Sequence, residues 1–127
     1  MRNYLMLNMI RSKIYLPNTE QYWFVIKVTD NLIDCKAVVE TNYRLDPLDG
    51  SIHTGSIGVV KFKPDSFTVG VISHEALHMA LSMMRTFDES YELDEVCDDV
   101  EERIAWLTGY FAAKITNFYY DHVEVKN

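Results

Sequence analysis

Near residue 64 the chain changes from short runs of β-branched and aromatic residues to long segments with helical periodicity. Three runs before this point predict strands, at Tyr22 to Val28, Cys35 to Thr41 and Ile57 to Phe62. The stretch RLDPLDGSIHTGS, between the second and third runs, is dense in Asp, Gly and Ser and predicts a loop or an irregular hairpin. We therefore expect a small, mostly antiparallel sheet of about three strands.

Two helices are predicted after this change of pattern. The first follows a cap at Asp65 or Ser66 and runs to about Arg85. The second covers about residues 95 to 120. Because strands precede helices along the chain, the order favours an α+β fold with two main helices packed on one face of the sheet.

Length and composition suit one globular domain. The chain has 127 residues, of which 48% are hydrophobic and 24% are charged. This is enough to bury a core and too little for a second domain. We expect a single domain over residues 1–127, with a strand-rich part at 1–63 and a helical part at 64–127.

The net charge and the cysteine content limit the kinds of binding partner and the cellular compartment that we expect. The formal net charge is −7, and no segment concentrates Lys and Arg, so we expect neither a nucleic-acid nor a membrane partner. The N-terminal segment lacks the pattern of a signal peptide or an anchor, which favours a cytoplasmic protein. Cys35 and Cys97 are expected to be reduced thiols rather than a disulfide.

The residues HEALH occupy positions 74 to 78, within the first predicted helix. Positions i and i+4 of a helix lie on the same face, so His74 and His78 can direct both imidazoles at one Zn²⁺. Glu75 lies about 100° round the helix from His74 and can approach a water on the metal without coordinating it. The arrangement favours hydrolysis by a metal-bound water whose proton Glu75 accepts as general base.

The side of the helix that carries His74 is mostly apolar or small in sequence. Its other members are Phe67, Gly70, Val71, Leu77 and Leu81. We therefore expect both histidines to face the interior, with Gly70 allowing a close approach one turn before the site. The alternative is a pair of core histidines satisfied by hydrogen bonds without a metal. The Glu after the first His, and the cost of burying two unpartnered imidazoles, favour the metal.

A zinc site needs a third protein ligand, and the second helix offers two carboxylates near its start. An apolar stripe along this helix predicts core packing and consists of Val100, Ile104, Leu107, Phe111, Ile115 and Phe118. Glu101 flanks the stripe at about 60° from Ile104, whereas Glu102 lies in line with a track of small residues. Periodicity leaves both acids open as the third ligand.

Two motifs together resemble those of the zincin metallopeptidases, in the gluzincin branch where a Glu on a later helix completes the zinc site. HEALH matches the HExxH signature at every fixed position. The sequence ERIAWL, from Glu102 to Leu107, is similar to the E-x-x-A-aromatic-L signature of small zincin-like proteins of bacteriophages and prophages. The resemblance covers roughly Lys61 to Ile115.

The resemblance implies a minimal zincin-like fold and a zinc-dependent metallopeptidase that acts on a peptide or protein substrate. It implies His74, His78 and Glu102 as zinc ligands and Glu75 as general base. It also implies a strand along the edge of the cleft, where an extended peptide can pair by main-chain hydrogen bonds, and IGVVKF (57–62) is the candidate.

One catalytic role has no candidate that the sequence favours. An oxyanion stabiliser is not evident, although Tyr91, Tyr110, His53 and His122 are residues of suitable type. The chain is also small for a peptidase with a deep cleft. A second hypothesis is therefore a zincin-like binding or inhibitory module, phage-encoded, with little or no hydrolytic activity.

Overall fold

In a computed structural model of the chain, the described residues include four strands, which form one sheet in the order β1-β2-β4-β3. The structure describes residues 10–32, 34–42, 45, 47–50, 53–87 and 99–124. The strands are β1 (Arg11–Tyr15), β2 (Tyr22–Val28), β3 (Ala37–Thr41) and β4 (Gly55–Phe62). The β1/β2 and β3/β4 pairs are antiparallel, and β2 pairs with β4 in parallel.

The predicted α+β class, with a mostly antiparallel sheet and two helices, is confirmed. The sequence analysis missed β1, in which only Ile14 is a buried apolar residue, so that the short run carries little strand pattern. The resemblance implied that the strand at 57–62 lies along the cleft with an edge free to pair with a peptide, which is wrong. That strand, β4, lies between β2 and β3, and β3 is the edge strand on this side.

The first helix, α1, spans Val69–Phe87. Its cap is Thr68, whose Oγ1 accepts a hydrogen bond from the backbone N–H of Val71 at 3.3 Å. The predicted cap at Asp65 or Ser66 is therefore wrong. Ser66 is buried, and its hydroxyl lies 2.8 Å from the carbonyl oxygens of Lys36 and Lys63, where it ties the start of α1 to the sheet.

The second helix, α2, spans Val100–Phe118 and continues into a π-helical turn at Tyr119–Val123. Asp99 caps it and accepts a hydrogen bond from the backbone N–H of Glu102 at 2.7 Å. The predicted start near residue 95 lies outside the described residues, as does Cys97. None of the described helices is long and apolar enough to cross a membrane.

The core lies between one face of the sheet and the two helices. Phe24 of β2 packs edge to face on Phe111 of α2, with 5.5 Å between the ring centroids. Met79 of α1 and Leu107 of α2 are both completely buried. Each such side chain contributes about 1.5–3 kcal/mol through burial. This packing holds α1, which carries the HEALH motif, against the sheet near its β3 edge.

Candidate metal centre

The imidazoles of His74 and His78 converge. Their Nε2 atoms lie 3.1 Å apart, and the two rings are inclined at 72°. Two nitrogen ligands of one tetrahedral zinc ion, each about 2.0–2.1 Å from it, lie about 3.3–3.4 Å apart. A hydrogen bond between the rings also accounts for the separation. The geometry therefore fits a shared cation or a shared proton, because two unprotonated nitrogens facing each other repel.

The motif faces the opposite way to the prediction. His74 and His78 are exposed, as is Leu77, whereas the sequence analysis expected this side to face the interior. The apolar residues on the buried face of α1 are Ile72, Ala76, Met79, Ala80 and Met83. Both sides of the helix carry apolar residues, so periodicity alone does not identify the inner one. Exposure also rules out the alternative of two core histidines.

Glu75 occupies a different environment from its two neighbours. Its side chain is 3% exposed, yet its carboxylate lies within 4.8 Å of the ring nitrogens of both histidines. Burial raises the pKa of this carboxyl above its ordinary value of 4.5, and the adjacent imidazoles of His74 and His78 oppose the shift. A carboxyl with a raised pKa is a better proton acceptor near neutral pH than an ordinary surface carboxylate.

A cavity of about 340 Å³ opens beside this group. One wall comes from α1 and includes Gly70, Val71, His74 and Glu75. The other wall is the approach to β3 and consists of Cys35, Lys36 and Ala37, of which Cys35 is a free thiol. The predicted close approach at Gly70 is not seen among the described residues, since nothing lies within 4 Å of a Cβ built there. The missing side chain instead keeps the cavity open.

Sequence reasoning found the α1 wall and missed the β3 wall. Positions 35 to 37 lie almost forty residues before His74, and only tertiary packing brings them together. One of the contacts between the two walls is a hydrogen bond between Thr41 of β3 and Ser82 of α1, whose hydroxyl oxygens lie 2.9 Å apart. No motif in either segment predicts this contact.

The third ligand is not brought into the group. Among the described residues, the ligand atoms within 4.8 Å of one another are those of His74, Glu75 and His78. Glu101 and Glu102 both lie exposed in the first turn of α2. Glu101 is about 20° from Ala112 round the helix, and Ala112 lines a cavity together with Ile72 of α1. A ligand from α2, at Glu101 or Glu102, stays a prediction.

Three of the four candidate oxyanion residues lie in the described part of the chain, and none of these three borders the histidine pair. The hydroxyl of Tyr110 donates to the carbonyl oxygen of Tyr15 at 2.8 Å, on the β1 side of the molecule. His53 and His122 each line a separate cavity. Tyr91 lies outside the described residues.

The arrangement as a whole supplies two imidazole nitrogens, one buried carboxylate and an adjoining cavity. These are the donor types that zinc accepts, together with a base that burial has made more basic. No known protein family, curated protein or solved structure matches this chain.

Proposed function

We propose that this protein is a zinc-dependent metallopeptidase of the zincin-like kind. One observation carries the proposal: the Nε2 atoms of His74 and His78 converge to 3.1 Å beside the buried carboxylate of Glu75. Two histidines on a protein surface that have no joint function need not direct their nitrogens at one point, and they need not flank a buried acid. Both are what amide hydrolysis at a metal requires.

His74 and His78 would hold the metal, with a carboxylate of α2, Glu102 by the motif, as the third ligand. When bound, zinc supplies the Lewis acidity that makes a water molecule nucleophilic near neutral pH. The exposure of both histidines suits this role, because an open coordination position must be reached by solvent and substrate.

Glu75 is the proposed general base. Its carboxylate would accept a proton from the attacking water and return it to the leaving amine nitrogen. The burial that raises its pKa supports this function, since proton transfer is most efficient when the base has a pKa near the working pH. General base catalysis of this kind contributes about 10²–10⁴-fold to a rate.

The substrate would lie along β3. This strand is at the edge of the described sheet and runs from the cavity wall at Ala37 towards Thr41, which contacts α1. An extended peptide can add to such an edge by main-chain hydrogen bonds, and one of its side chains would then enter the cavity at Gly70. Gly70→Leu should fill that cavity and lower hydrolysis without displacing the histidines.

The proposal is tested by hydrolysis of an unstructured peptide library, followed by mass spectrometry. The wild type should cleave peptides with one equivalent of zinc and stop when a chelator is added. Glu75→Gln should lose about 10²–10⁴-fold in rate while it still binds zinc. The matched control, Glu20→Gln, changes an exposed acid on another surface and should retain full activity. A wild type that binds no zinc would contradict the proposal.

The second candidate is a zincin-like binding module without hydrolysis. The observation that favours it is that none of the candidate oxyanion residues in the described part of the chain borders the histidine pair. A wild type that binds zinc and a peptide but releases no product would support this candidate. In that case Glu75→Gln should leave peptide affinity unchanged.

A further inference from the structure

The face of the sheet that is turned away from the helices carries an unusual row of cations. In β2, Phe24, Ile26 and Val28 point into the core, so Trp23, Val25 and Lys27 point outwards. Arg11 of β1 is paired with Lys27, and Lys27 is paired with Lys61 of β4. Three cations therefore stand side by side across three neighbouring strands.

This row is not explained by the stability of the sheet. Like charges directly opposite one another on paired strands are destabilising. The acid that offsets them in the described part of the chain is Glu40, which forms an ion pair with Lys61 at 3.1 Å. The described residues give Arg11 and Lys27 no such partner. The cluster is the more unusual because the whole chain has a formal net charge of −7.

Aromatic rings stand on the same face, two residue rows from the cations. Tyr15 of β1 is paired with Trp23 of β2, and their rings contact edge to face with centroids 6.0 Å apart. Lys13, in the row between, lies over the Trp23 ring at 4.0 Å. Tyr15 is 38% exposed, and Trp23 is half-buried. The face thus combines cations with partly exposed aromatic rings, and a base that stacks on Trp23 would take the place of the Lys13 ammonium group.

We propose that this sheet face binds single-stranded nucleic acid. Phosphates would contact Arg11, Lys27 and Lys61, while bases would stack on Tyr15 and Trp23, the combination by which open sheets and grooves hold single strands. An acidic protein segment would satisfy the cations but leaves the paired rings without a role. The site is separate from the histidine pair and does not depend on the peptidase proposal.

Sequence alone predicted no nucleic-acid partner because Arg11, Lys27 and Lys61 are far apart in the chain. Strand pairing assembles them. Along the sequence these three residues are separated by many apolar and acidic residues, so no basic segment is present. Only the register of β1, β2 and β4 places them in one row.

The first test measures binding of a fluorescent 12-nucleotide oligodeoxythymidine to the full chain by anisotropy. With three or four phosphate contacts, log affinity should fall with log salt at a slope of about −2 to −3, which weakens binding roughly 20–50-fold between 50 and 200 mM. Arg11→Gln with Lys27→Gln should weaken binding at least about fivefold at 50 mM and lower the slope by about 1.4.

The matched control is Arg85→Gln with Lys114→Gln, which removes two exposed cations from the helices. Its affinity should stay within about twofold of the wild type, because these two cations do not lie on the proposed face. Both double variants remove two positive charges, so the nonspecific loss of charge is the same in each. Equal weakening in the two variants, or no binding by the wild type at 50 mM salt, would overturn the proposal.

A second measurement separates nucleic acid from an acidic protein partner. The chain has two tryptophans, so Trp106→Phe leaves Trp23 as the sole fluorescent indole. Its emission should be quenched by the oligodeoxythymidine and much less by an abasic strand of equal length. If polyglutamate or the abasic strand binds as tightly as the oligodeoxythymidine, the face recognises charge alone and the proposal is wrong.

Discussion

Glu75 and its two histidines differ in burial although they lie within five consecutive positions. The helix places His74 and His78 on its exposed side and turns the carboxylate between them towards the sheet. A metal-free protein must keep this carboxyl in a site that penalises its charge. The ionised Glu75 carboxylate therefore lowers the stability of the folded state. Residues that lower stability in this way are often retained for function.

The first prediction concerns the pH dependence of this cost. The pKa of Glu75 is raised in the folded protein above its ordinary value of 4.5. Below about pH 4.5 the carboxyl is protonated in both folded and unfolded chains and has no effect on stability. As pH rises from about 4.5 towards the raised folded pKa, the unfolded chain ionises while the folded carboxyl resists ionisation, so the stability of the folded state falls and then stays lowered above the folded pKa. Metal-free Glu75→Gln should therefore be more stable than wild type at pH 7.

Urea denaturation of both metal-free proteins from pH 4 to pH 8 measures this difference. The advantage of Glu75→Gln should vanish near pH 4 and shrink at pH 7 when zinc is added, since a cation favours the ionised carboxylate. Glu20→Gln, at an exposed acid, should show no comparable trend. An advantage that is the same at pH 4 and pH 7 would mean that Glu75 is not desolvated as described.

At the scale of elements, the sheet depends on a close approach between β3 and β4 at Gly58. A Cβ there would lie 2.7 Å from the carbonyl oxygen of Glu40 and 3.0 Å from the ring of Phe24. We predict that Gly58→Ala lowers the free energy of unfolding by about 1–3 kcal/mol, because backbone must move. Gly109, in α2, has nothing within 4 Å, and Gly109→Ala should raise stability by about 0.5–1 kcal/mol.

Both values come from urea unfolding curves monitored by circular dichroism. The signs of the two changes should be opposite, since one alanine meets backbone and the other replaces glycine in an open helix position. A Gly58→Ala variant as stable as the wild type would show that the β3/β4 contact is looser than the structure indicates, and a destabilised Gly109→Ala would show that position 109 is not open.

The proposed function assigns the third metal ligand to helix α2, and this assignment can be tested separately. Glu102→Gln should lower zinc affinity at least about tenfold, as even the loss of a supporting residue around a zinc site does. Glu101→Gln should leave affinity within about threefold. Competition with a chromogenic chelator measures both. The reverse order would assign the ligand to Glu101 and would correct the motif.

Strands and helices whose own residues show a clear hydrophobic or β-branched pattern were predictable from sequence. Those that depend on pairing with a neighbouring strand or helix were not. The run Tyr22–Val28 is dense in aromatic and β-branched residues, and the structure has β2 over those residues. The strand β1 alternates exposed polar residues with Ile14 and acquires its structure from pairing with β2. The inner face of α1 was misassigned because alanine and methionine, rather than leucine, pack against the sheet.

At the scale of the whole molecule, the sequence predicted the spacing of the motif but not what surrounds it. Residues four apart on a helix must share a side, so the convergence of His74 and His78 was expected from sequence. The cavity wall at Cys35 and the cation row on the outer face depend on strand order, which separates β3 from β2 by inserting β4. That order is a non-local property, and no local pattern specifies it.

The molecule thus has two surfaces on opposite sides of one sheet. The helix side carries the candidate metal centre beside the β3 edge, and the outer side carries the cations and rings of β1 and β2. The two surfaces share no residue, so a substitution on one of them leaves the residues of the other unchanged. The two proposals are therefore testable independently.

The central claim is that His74 and His78 hold one metal ion. Zinc K-edge X-ray absorption of the protein loaded with one equivalent of zinc tests it most directly. The expected spectrum contains the scattering of two imidazoles bound through nitrogen at about 2.0–2.1 Å. A spectrum of solvated zinc without imidazole scattering, or one left unchanged by His78→Ala, would contradict the claim.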